Sequence, residues 1–458
     1  MQITDKLVNY ATNLNFKSLP REVIERCKIL FLDFIGIPIK ASEEKSSRIL
    51  FRTISEVGAK GPCTVIPHRD KFQPQYAGLI NGAYGHSLDF DDTHREASIH
   101  PGAAVIPAIL AVGEENEAEG EKIIEAMVAG YDVTCKLGMA INPAEHYSHG
   151  FHGTATCGIF GATVAAGIIE GVNYDELSNA LGIDISLAAG SMQFLESGSW
   201  NKRLHPGFAA HNAILSIKLA RNGFLGAKAP IEGTYGLLNS YTHNPDLEKA
   251  VIELGERYEI MFTGIKPYPC CRYIHPAVDL VIQAVKDGKI SKEEIEKIDV
   301  EITRAGYYIV GHPLQRKQNP QNVVDAQFSL PFAVAVAILK GRLTVDEYND
   351  NTLNDIGVKK MMKKVSVRHN EELDKEYPQK WPVVVTIKTN HDKLIMRKDY
   401  PKGEPEDPMS FKEVADKFRS LAHNKLSETQ VNEVLDMVER LDKLGDIREL
   451  TESLIERK

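Results

Sequence analysis

The feature that most constrains the fold is a long helical periodicity that is dense in alanine and glycine. From Ile3 to about Phe262, apolar residues recur at spacings of three and four, as they do on the buried face of an α-helix. Small residues on such faces let helix backbones approach closely, which favours inner helices over surface helices. The clearest examples are residues 122–141, 158–171 and 207–224. The sequence therefore predicts a broad helical bundle.

The pattern changes after Gly264, where the segment IKPYPCCRYIHP holds three prolines and cannot continue as a regular helix. Beyond it, KIDVEITRAGYYIV, KKVSVRHN and WPVVVTIKT alternate apolar and polar residues as half-buried strands do, with helical segments between them. The linker YPKGEPEDPMS precedes amphipathic helices that begin at Phe411. We predict a mainly α protein with a large all-helical domain (residues 1–263 and 403–458) and a smaller α+β domain (residues 264–402).

The charge and the cysteine spacing argue against two classes of protein. The net charge is −9, and the sequence has no dense stripe of Lys and Arg with interleaved aromatic residues, so we expect no nucleic-acid partner. The six cysteines include no CxxC pair. That spacing argues against a zinc ribbon and against the usual iron–sulfur sites.

The hydropathy of the chain predicts a cytoplasmic protein that does not enter a membrane. The amino-terminal segment MQITDKLVNYATNLNF includes Asp5 and other polar residues where a secretory signal needs an uninterrupted apolar region. The longest weakly polar run, Ala326 to Leu339, is shorter than the roughly 20 apolar residues that cross a bilayer. We therefore expect no membrane span.

The stretch HSLDFDDTHREASIHPG, residues 86–102, combines four carboxylates with three histidines. On a helix, His86, Asp89 and Thr93 would fall at i, i+3 and i+7 and share one side, while Asp91 would point elsewhere. A turn through Pro101 and Gly102 could return His100 to the same pocket. The stretch therefore predicts one wall of an active site.

Three other interpretations of this stretch remain open at this point. DFDDT fits the DxDxT pattern of haloacid-dehalogenase-like phosphatases, but the preceding YAGLINGAYGHSL looks helical where that chemistry needs a buried strand. DDTHRE is a distant match to the magnesium-binding DDxxD motif of isoprenoid enzymes, and no second motif of that kind follows. The carboxylates could also cap helices and pair with Arg95 at a surface.

A second cluster, HYSHGFHGTATCGIFGA, places His146, His149 and His152 at successive three-residue steps before a helix rich in Gly and Ala. The spacing is neither the HxxxH nor the HExxH of a helical zinc site, and a loop histidine is often only solvated or bonded to backbone. We favour one catalytic histidine, His152, over a metal site.

A third cluster, GSWNKRLHPGFAA, places Lys202, Arg203 and His205 at the start of a helix after glycine-rich turns. Cations beside a helix amino terminus make an anion site, and the alternative is a solvated basic turn.

A fourth cluster lies at the predicted domain junction, where Lys266, Arg272 and His275 occur close together in the sequence. Clefts between domains are common ligand sites. The alternative is a structural hinge in which Cys270 and Cys271 are small buried residues.

Taken together, these segments resemble the MmgE/PrpD family, which contains 2-methylcitrate dehydratases, cis-aconitate decarboxylases and iminodisuccinate epimerases. The segments that carry the resemblance occur in family order and span nearly the whole chain: NGAYGHSLDFDDTH, IHPGAAVIPAILAVGE, GYDVTCKLG, GFHGTATCGIFGA, GSWNKRLHPGFAA, residues 266–275 and PKGEPEDPMSFKEVADKF.

The resemblance implies a helical domain made from both ends of the chain, a smaller α+β lid, a homodimer, and an active site between the domains that uses no cofactor and no metal. Carried over by position, the catalytic candidates are Asp89, Thr93, His100, His152 and Lys202. The candidates for substrate binding are Lys266, Arg203, Arg272, His275 and Cys271, with His275 a weaker member of the set.

The resemblance also implies the chemistry. Removing a proton next to a carboxylate creates a carbanion whose charge preorganised cations must hold, and Lys202 and Lys266 suit that role. A histidine or Asp89 would take the proton, and a second group would donate one. We expect a lyase acting on a small tricarboxylate.

The subfamily predicted by the sequence is a hydro-lyase of the 2-methylcitrate dehydratase type. In the cis-aconitate decarboxylase branch we expect histidine in place of Cys271 and tyrosine in place of Phe332, and the loop from Thr93 to His100 looks one residue longer than in that branch. The alternatives are cis-aconitate decarboxylation, iminodisuccinate epimerisation, and a relative that binds polycarboxylates without catalysis. More remote is a magnesium-dependent phosphoryl or prenyl enzyme.

Overall fold

The computed structural model describes residues 2–377 and 379–457. The chain forms two compact units, one that comprises the chain up to Ile265 and from Ser410 onward, and one that comprises Lys266–Met409. The first unit is almost entirely helical, and the second combines helices with a four-stranded sheet. The predicted fold class, mainly α with a smaller α+β part, is confirmed.

The first unit is built from helices joined by short loops. Up to the second unit its α-helices are α1 (Ile3–Asn13), α2 (Arg21–Ala41), α3 (Lys45–Val57), α4 (Pro74–Gly85), α5 (Gly102–Glu115), α6 (Gly120–Ala140), α7 (Pro143–Ser148), α8 (Gly153–Thr156), α9 (Gly158–Glu170), α10 (Tyr174–Asp184), α11 (Phe194–Ser197), α12 (Asn201–Arg221) and α13 (Leu237–Ser240). Its strands are β1 (Lys60–Thr64), β2 (Lys71–Phe72), β3 (Thr93–His94) and β4 (Thr263–Gly264). β1 pairs with β2 and β3 pairs with β4, both antiparallel.

The inner helices of this unit pack backbone against backbone, as their glycine content predicts. A Cβ at Gly207 of α12 would lie 2.3 Å from the carbonyl oxygen of Leu79 on α4. A Cβ at Gly161 of α9 would lie 2.3 Å from the carbonyl oxygen of Gly130 on α6. Only glycine permits these approaches, so the small residues fix how closely α12 meets α4.

One segment of the first unit, Gly153–Glu170, is long and apolar enough to cross a membrane by length and composition. The prediction that Ala326–Leu339 is the longest run of this kind is therefore wrong. In the structure 94% of the segment is buried inside the protein. Its apolar character is that of a helix at the centre of a core, where neighbouring helices replace water on every side.

The second unit is an α+β arrangement. Its sheet has the order β6 (Val365–His369), β5 (Ile295–Ile302), β7 (Val383–Thr389), β8 (Lys393–Lys398), with β5 and β6 parallel and the other neighbours antiparallel. Its α-helices are α14 (His275–Lys286), α15 (Arg304–Gly306), α16 (Leu314–Lys317), α17 (Val323–Gln327), α18 (Leu330–Lys340), α19 (Asp350–Asn354), α20 (Ile356–Lys364) and α21 (Glu371–Asp374). The core of the unit lies between the sheet and helices α14, α18 and α20.

The chain returns to the first unit with α22 (Phe411–Ala422), α23 (Glu428–Glu439) and α24 (Arg448–Ser453). α22 packs along α2. The ammonium group of Lys417 on α22 is buried, 2.7 Å from a carboxylate oxygen of Asp33 and 2.8 Å from the carbonyl oxygen of Phe90. The carboxy-terminal segment thus contacts the acidic motif through the buried ammonium group of Lys417.

Candidate active site

The acidic motif forms a loop, and the helix predicted there is wrong. α4 ends at Gly85, and the backbone of Asp89 is left-handed, with φ of 53°. A left-handed residue interrupts a right-handed helix, so His86, Asp89 and Thr93 do not share a helix face. The segment before the motif is helix α4, and a DxDxT phosphatase needs a buried strand at that place.

Asp91 lies at the centre of this loop, whereas the sequence predicted that it would point away. Its Oδ2 atom is 2.6 Å from Nδ1 of His86 and 3.4 Å from Nδ1 of His100. Nδ1 of His100 is also 2.7 Å from the carbonyl oxygen of Asp92. Because a carbonyl oxygen only accepts, Nδ1 of His100 carries a hydrogen, and Nε2 is the nitrogen whose protonation can change.

Four imidazole rings form a row from the acidic motif to helix α12, in which His86 and His152 are buried and His100 and His205 are partly buried. The ring of His86 has its centroid 4.9 Å from that of His100 and 5.6 Å from that of His152. His152, just before α8, has its Nδ1 atom 3.1 Å from Nδ1 of His205 on α12. The order His100, His86, His152, His205, which we call the histidine row, places four proton-exchanging groups side by side.

The environment keeps the far half of the histidine row uncharged. Burial lowers the pKa of His152 well below its ordinary value, and the neighbouring His86 and Lys202 add to this effect. Burial also lowers the pKa of His205 to about 4, again helped by His86 and Lys202. At neutral pH both rings are therefore neutral, and each has one nitrogen that can accept a proton.

A cation lies beside the row. Nζ of Lys202 is 2.8 Å from Oδ1 of Asp89, and both side chains are only partly buried. Lys202 is in the first turn of α12, where backbone N–H groups and the helix dipole favour an anion. His205 follows three residues later, so Lys202 and His205 share one face of α12.

Asp92 anchors the loop from inside the protein. Its carboxyl accepts hydrogen bonds from the hydroxyl of Tyr131 at 2.6 Å and from the N–H of Gly102 at 3.1 Å. Burial raises the pKa of Asp92 to about 8, and the charge of Asp91 contributes in the same direction. The carboxyl of Asp92 is therefore protonated at neutral pH, and its role is to hold His100 and the start of α5 in place.

A second buried network fixes the far end of the loop. Glu259 lies 3.1 Å from Nε2 of His94, 2.8 Å from Nζ of Lys136 and 3.2 Å from Nε of Arg257. Burial acts to raise the pKa of Glu259, but the hydrogen bond from His94 and the charge of Lys136 outweigh it and lower the pKa to about 2. The ionised carboxylate holds strand β3 against the protein.

His86, Asp91 and His100 present possible metal ligands whose atoms lie within 4.8 Å of one another. A metal ion needs lone pairs from its ligands. In the structure, however, Nδ1 of His86 is hydrogen-bonded to Asp91, and Nδ1 of His100 faces a carbonyl oxygen. The arrangement therefore fits shared protons better than a shared metal ion.

The structure places the remaining first-unit candidates as follows. The hydroxyl of Thr93 is buried and makes no hydrogen bond within the described part of the chain. Arg203 donates to Glu44 at 2.9 Å and to the hydroxyl of Ser46 at 2.7 Å. Arg203 is thus held at the start of α3.

The other candidates for substrate binding belong to the second unit. Lys266 is buried, and Arg272 donates to Glu404 at 2.7 Å with its guanidinium 4.4 Å from the ring of Trp381. Nε2 of His275 lies 3.1 Å from the carbonyl oxygen of Cys270, and the N–H of Cys271 donates to Gln327. Arg272 and His275 therefore have structural contacts inside their own unit.

Sequence reasoning placed His86 in the predicted wall of the active site but gave it no catalytic role. It pointed Asp91 away from the site, and it named His205 only as part of a basic turn. For His205 the available signal was its position three residues after Lys202. Of the histidines that precede α8, His146 bonds to Thr156 and Tyr241 and lies outside the row.

The fold and the site together define a class. The protein is a two-unit, mainly α protein whose helical unit brings imidazole, carboxylate and ammonium groups together at the start of α12.

Comparison with known families identifies the family to which the protein belongs. The MmgE/PrpD N-terminal domain matches residues 5–250, and the MmgE/PrpD C-terminal domain matches residues 268–443. The chain belongs to the MmgE/PrpD family, so the resemblance predicted from the sequence is confirmed.

Relatives of known name align along the whole chain. A cis-aconitate decarboxylase of Aspergillus terreus is 28% identical over 472 residues, which cover 99% of this chain and 96% of the relative. The cis-aconitate decarboxylase of Mus musculus is 24% identical, with 99% and 93% covered, and that of Homo sapiens is 24% identical, with 98% and 94% covered.

Proposed function

We propose that the protein is a lyase for a small tricarboxylate and that its reaction is the decarboxylation of cis-aconitate. The observation that carries the proposal is the histidine row beside the Lys202–Asp89 pair, since the row can move protons and Lys202 can hold a carboxylate. The full-length similarity to cis-aconitate decarboxylases supports this substrate over the 2-methylcitrate that the sequence favoured.

The proposed reaction needs one cation and one proton donor. In cis-aconitate a methylene carbon loses its carboxylate as carbon dioxide, and the electron pair shifts the double bond. A proton then binds the carbon at the other end of the shifted system, which gives itaconate. Lys202 would stabilise the negative charge that builds up on a remaining carboxylate.

His152 is the proposed proton donor. Its pKa is lowered by burial and by neighbouring positive charge, and a bound tricarboxylate would oppose that lowering with negative charge beside the ring. Binding of substrate would therefore charge His152 at the moment when a proton is needed. His100, with Nδ1 fixed by the carbonyl of Asp92, is placed to serve the same substrate through Nε2.

A second candidate is the hydro-lyase reaction on 2-methylcitrate. Cys271 favours it, because the resemblance to the decarboxylase branch implies histidine at that position. Phe332 carries no such weight, since it is fully buried in the core of the second unit beside Tyr348. Both reactions pass through negative charge next to a carboxylate, so the same groups serve either one.

The test is to incubate the purified protein in deuterated water with cis-aconitate, 2-methylcitrate, citrate and iminodisuccinate, each with and without a chelator, and to follow products by proton NMR. We expect itaconate with one deuterium per molecule, at the same rate with the chelator. Loss of water from 2-methylcitrate without carbon dioxide would establish the second candidate. Dependence on added metal would overturn the assignment of His86, Asp91 and His100 to proton transfer.

A further inference from the structure

The proposed reaction consumes one proton in each turnover, because a carboxylate that leaves as carbon dioxide is replaced by a C–H bond. The proposed donor, His152, is only 2% exposed. While substrate covers the ring, His152 cannot collect that proton directly from bulk water. The site therefore requires a path by which a proton reaches His152 in the substrate-bound state.

His205 is in direct contact with His152 on the side of Nδ1. The two Nδ1 atoms are 3.1 Å apart, which is a hydrogen-bond distance. In such a pair one Nδ1 carries the hydrogen and the other presents its lone pair. A proton can therefore pass between the rings, and Nε2 of His152, on the opposite side of its ring, is left for the substrate.

His205 also lines a cavity of about 360 Å³. Its polar lining includes Ser191, Ser197, Ser199, Asn201 and Asn212. Among the residues that line it, His205 is the single titratable side chain, and His152 does not reach it. The cavity is open enough and polar enough to hold water, so His205 stands between water and the buried donor.

We propose that His205 carries protons from this cavity to His152. Water in the cavity gives a proton to Nε2 of His205, and Nδ1 of His205 passes its own proton to Nδ1 of His152. His152 then gives the proton on its Nε2 to the substrate carbon, which leaves the hydrogen of His152 on Nδ1 and that of His205 on Nε2. After the product has left, Nε2 of His152 takes a proton from water in the emptied site, the hydrogen on Nδ1 of His152 returns to Nδ1 of His205, and Nε2 of His205 releases its hydrogen to the cavity, which restores both starting tautomers. The use of this path in turnover rests on the proposed function. Proton transfer between His205 and His152 does not, because it depends only on the contact between the two rings.

The kinetic test uses two variants that differ in the space left at position 205. His205→Phe fills the volume of the imidazole with a ring that cannot exchange a proton. His205→Ala removes the ring and leaves a space that adjoins the cavity. We expect kcat for both to fall by about 100-fold, the lower end of what positioned acid–base groups contribute, with KM changed by less than about twofold. Added imidazole restores His205→Ala and leaves His205→Phe slow.

Lys202→Ala is the control for specific rescue, because imidazole cannot replace an ammonium group that binds a carboxylate. If both His205 variants kept wild-type kcat, or if imidazole failed to restore His205→Ala, the proposal would be wrong while the decarboxylase assignment stood. Absence of any turnover by the wild type would instead refute the proposed function.

If the wild type shows no turnover, a measurement without substrate still tests the proposal. In protein labelled with ¹⁵N at the imidazole nitrogens, NMR reports how fast the ring hydrogen of His152 exchanges with water. We expect exchange at least about tenfold slower in His205→Phe than in the wild type, since the path is blocked and the fold is kept. Equal exchange rates in the two proteins would overturn the proposal.

Discussion

At the scale of single residues, the site depends on which nitrogen of each imidazole holds a hydrogen. Asp91 settles this for His86, because a carboxylate 2.6 Å from Nδ1 accepts the hydrogen there. The carbonyl of Asp92 settles it for His100. The two neighbouring acids thus act differently: Asp91 through its carboxylate, and Asp92 through its backbone oxygen while its own carboxyl stays protonated.

Asp91→Asn tests the role of the carboxylate. An amide of the same shape removes the negative charge that holds the hydrogen on His86, so we expect kcat to fall by about 100-fold with little change in KM. Steady-state kinetics with cis-aconitate measures this. The matched control is Asp416→Asn, an exposed acid on α22 that pairs with Arg419 and should keep full activity. Equal activity of both variants would remove Asp91 from the mechanism.

Asp92→Asn tests the protonated state of the buried acid. The pKa of Asp92 is raised from 3.8 to about 8, so the folded protein binds a proton that the unfolded chain releases above about pH 4. This group therefore favours folding fully at low pH, and its contribution declines as pH rises from about 4 to 8. Asn imitates the neutral acid, so urea unfolding at pH 5 and pH 8 should show a smaller decline for the variant. An identical decline in stability for the wild type and the variant would mean that a group other than Asp92 causes it.

At the scale of elements, the site is made where α4 and α12 touch. The end of α4 brings His86, and the first turns of α12 bring Lys202 and His205. Because Gly207 lies against the backbone of α4, the first turns of α12 come close to the end of α4, and His152 fills the space between His86 and His205. The geometry of the row is thus a consequence of a small residue in each helix.

Gly207→Ala tests this close approach. The new Cβ would lie 2.3 Å from the carbonyl oxygen of Leu79, a backbone atom that cannot turn aside. Overpacking of this kind destabilises by about 1–3 kcal/mol, more than the roughly 1 kcal/mol that alanine gains over glycine in a helix. We expect lower stability in urea unfolding and reduced kcat. Gly445→Ala, where nothing lies within 4 Å of the new Cβ, should match the wild type, and so would Gly207→Ala if the contact were unimportant.

The elements also show what sequence can predict. Helices α6, α9 and α12 follow from the spacing of their apolar and small residues, although α6 and α9 are buried on nearly every side. Strands β5, β6 and β7 follow from alternation, because one face of each strand is more buried than the other. Strand β8 was missed, since this edge strand has no fully buried residue. The loop from His86 to His100 was misjudged because helical spacing arose by coincidence, and the left-handed backbone at Asp89 depends on contacts distant in sequence.

At the scale of the whole molecule, α12 and the residues that follow it expose large apolar side chains. Phe208 and Leu215, seven residues apart, lie on one exposed face of the helix, and Phe224 and Leu225 follow at its end. Exposed apolar groups of this size commonly mark an interface. We propose that a second copy of the chain covers this surface, in line with the homodimer that the family resemblance implies.

Light scattering after gel filtration measures the state of assembly. We expect a dimer for the wild type and a monomer for the double variant Leu215→Asp, Leu225→Asp, because two charges would be buried without partners. The control is Ile356→Asp, which is 71% exposed in the second unit and should leave the dimer intact. A monomeric wild type, or a double variant that still dimerises, would contradict the proposed surface.

The buried ammonium of Lys417 has a consequence for how the protein is made. It binds the carbonyl oxygen of Phe90 in the acidic loop, yet it follows that loop by more than 300 residues of chain, including the entire second unit. A ribosome therefore releases the loop long before it adds the residue that supports it. While the chain is being synthesised, Asp33 stays without its buried partner, and the acidic loop gains its contact with Lys417 only after α22 has emerged.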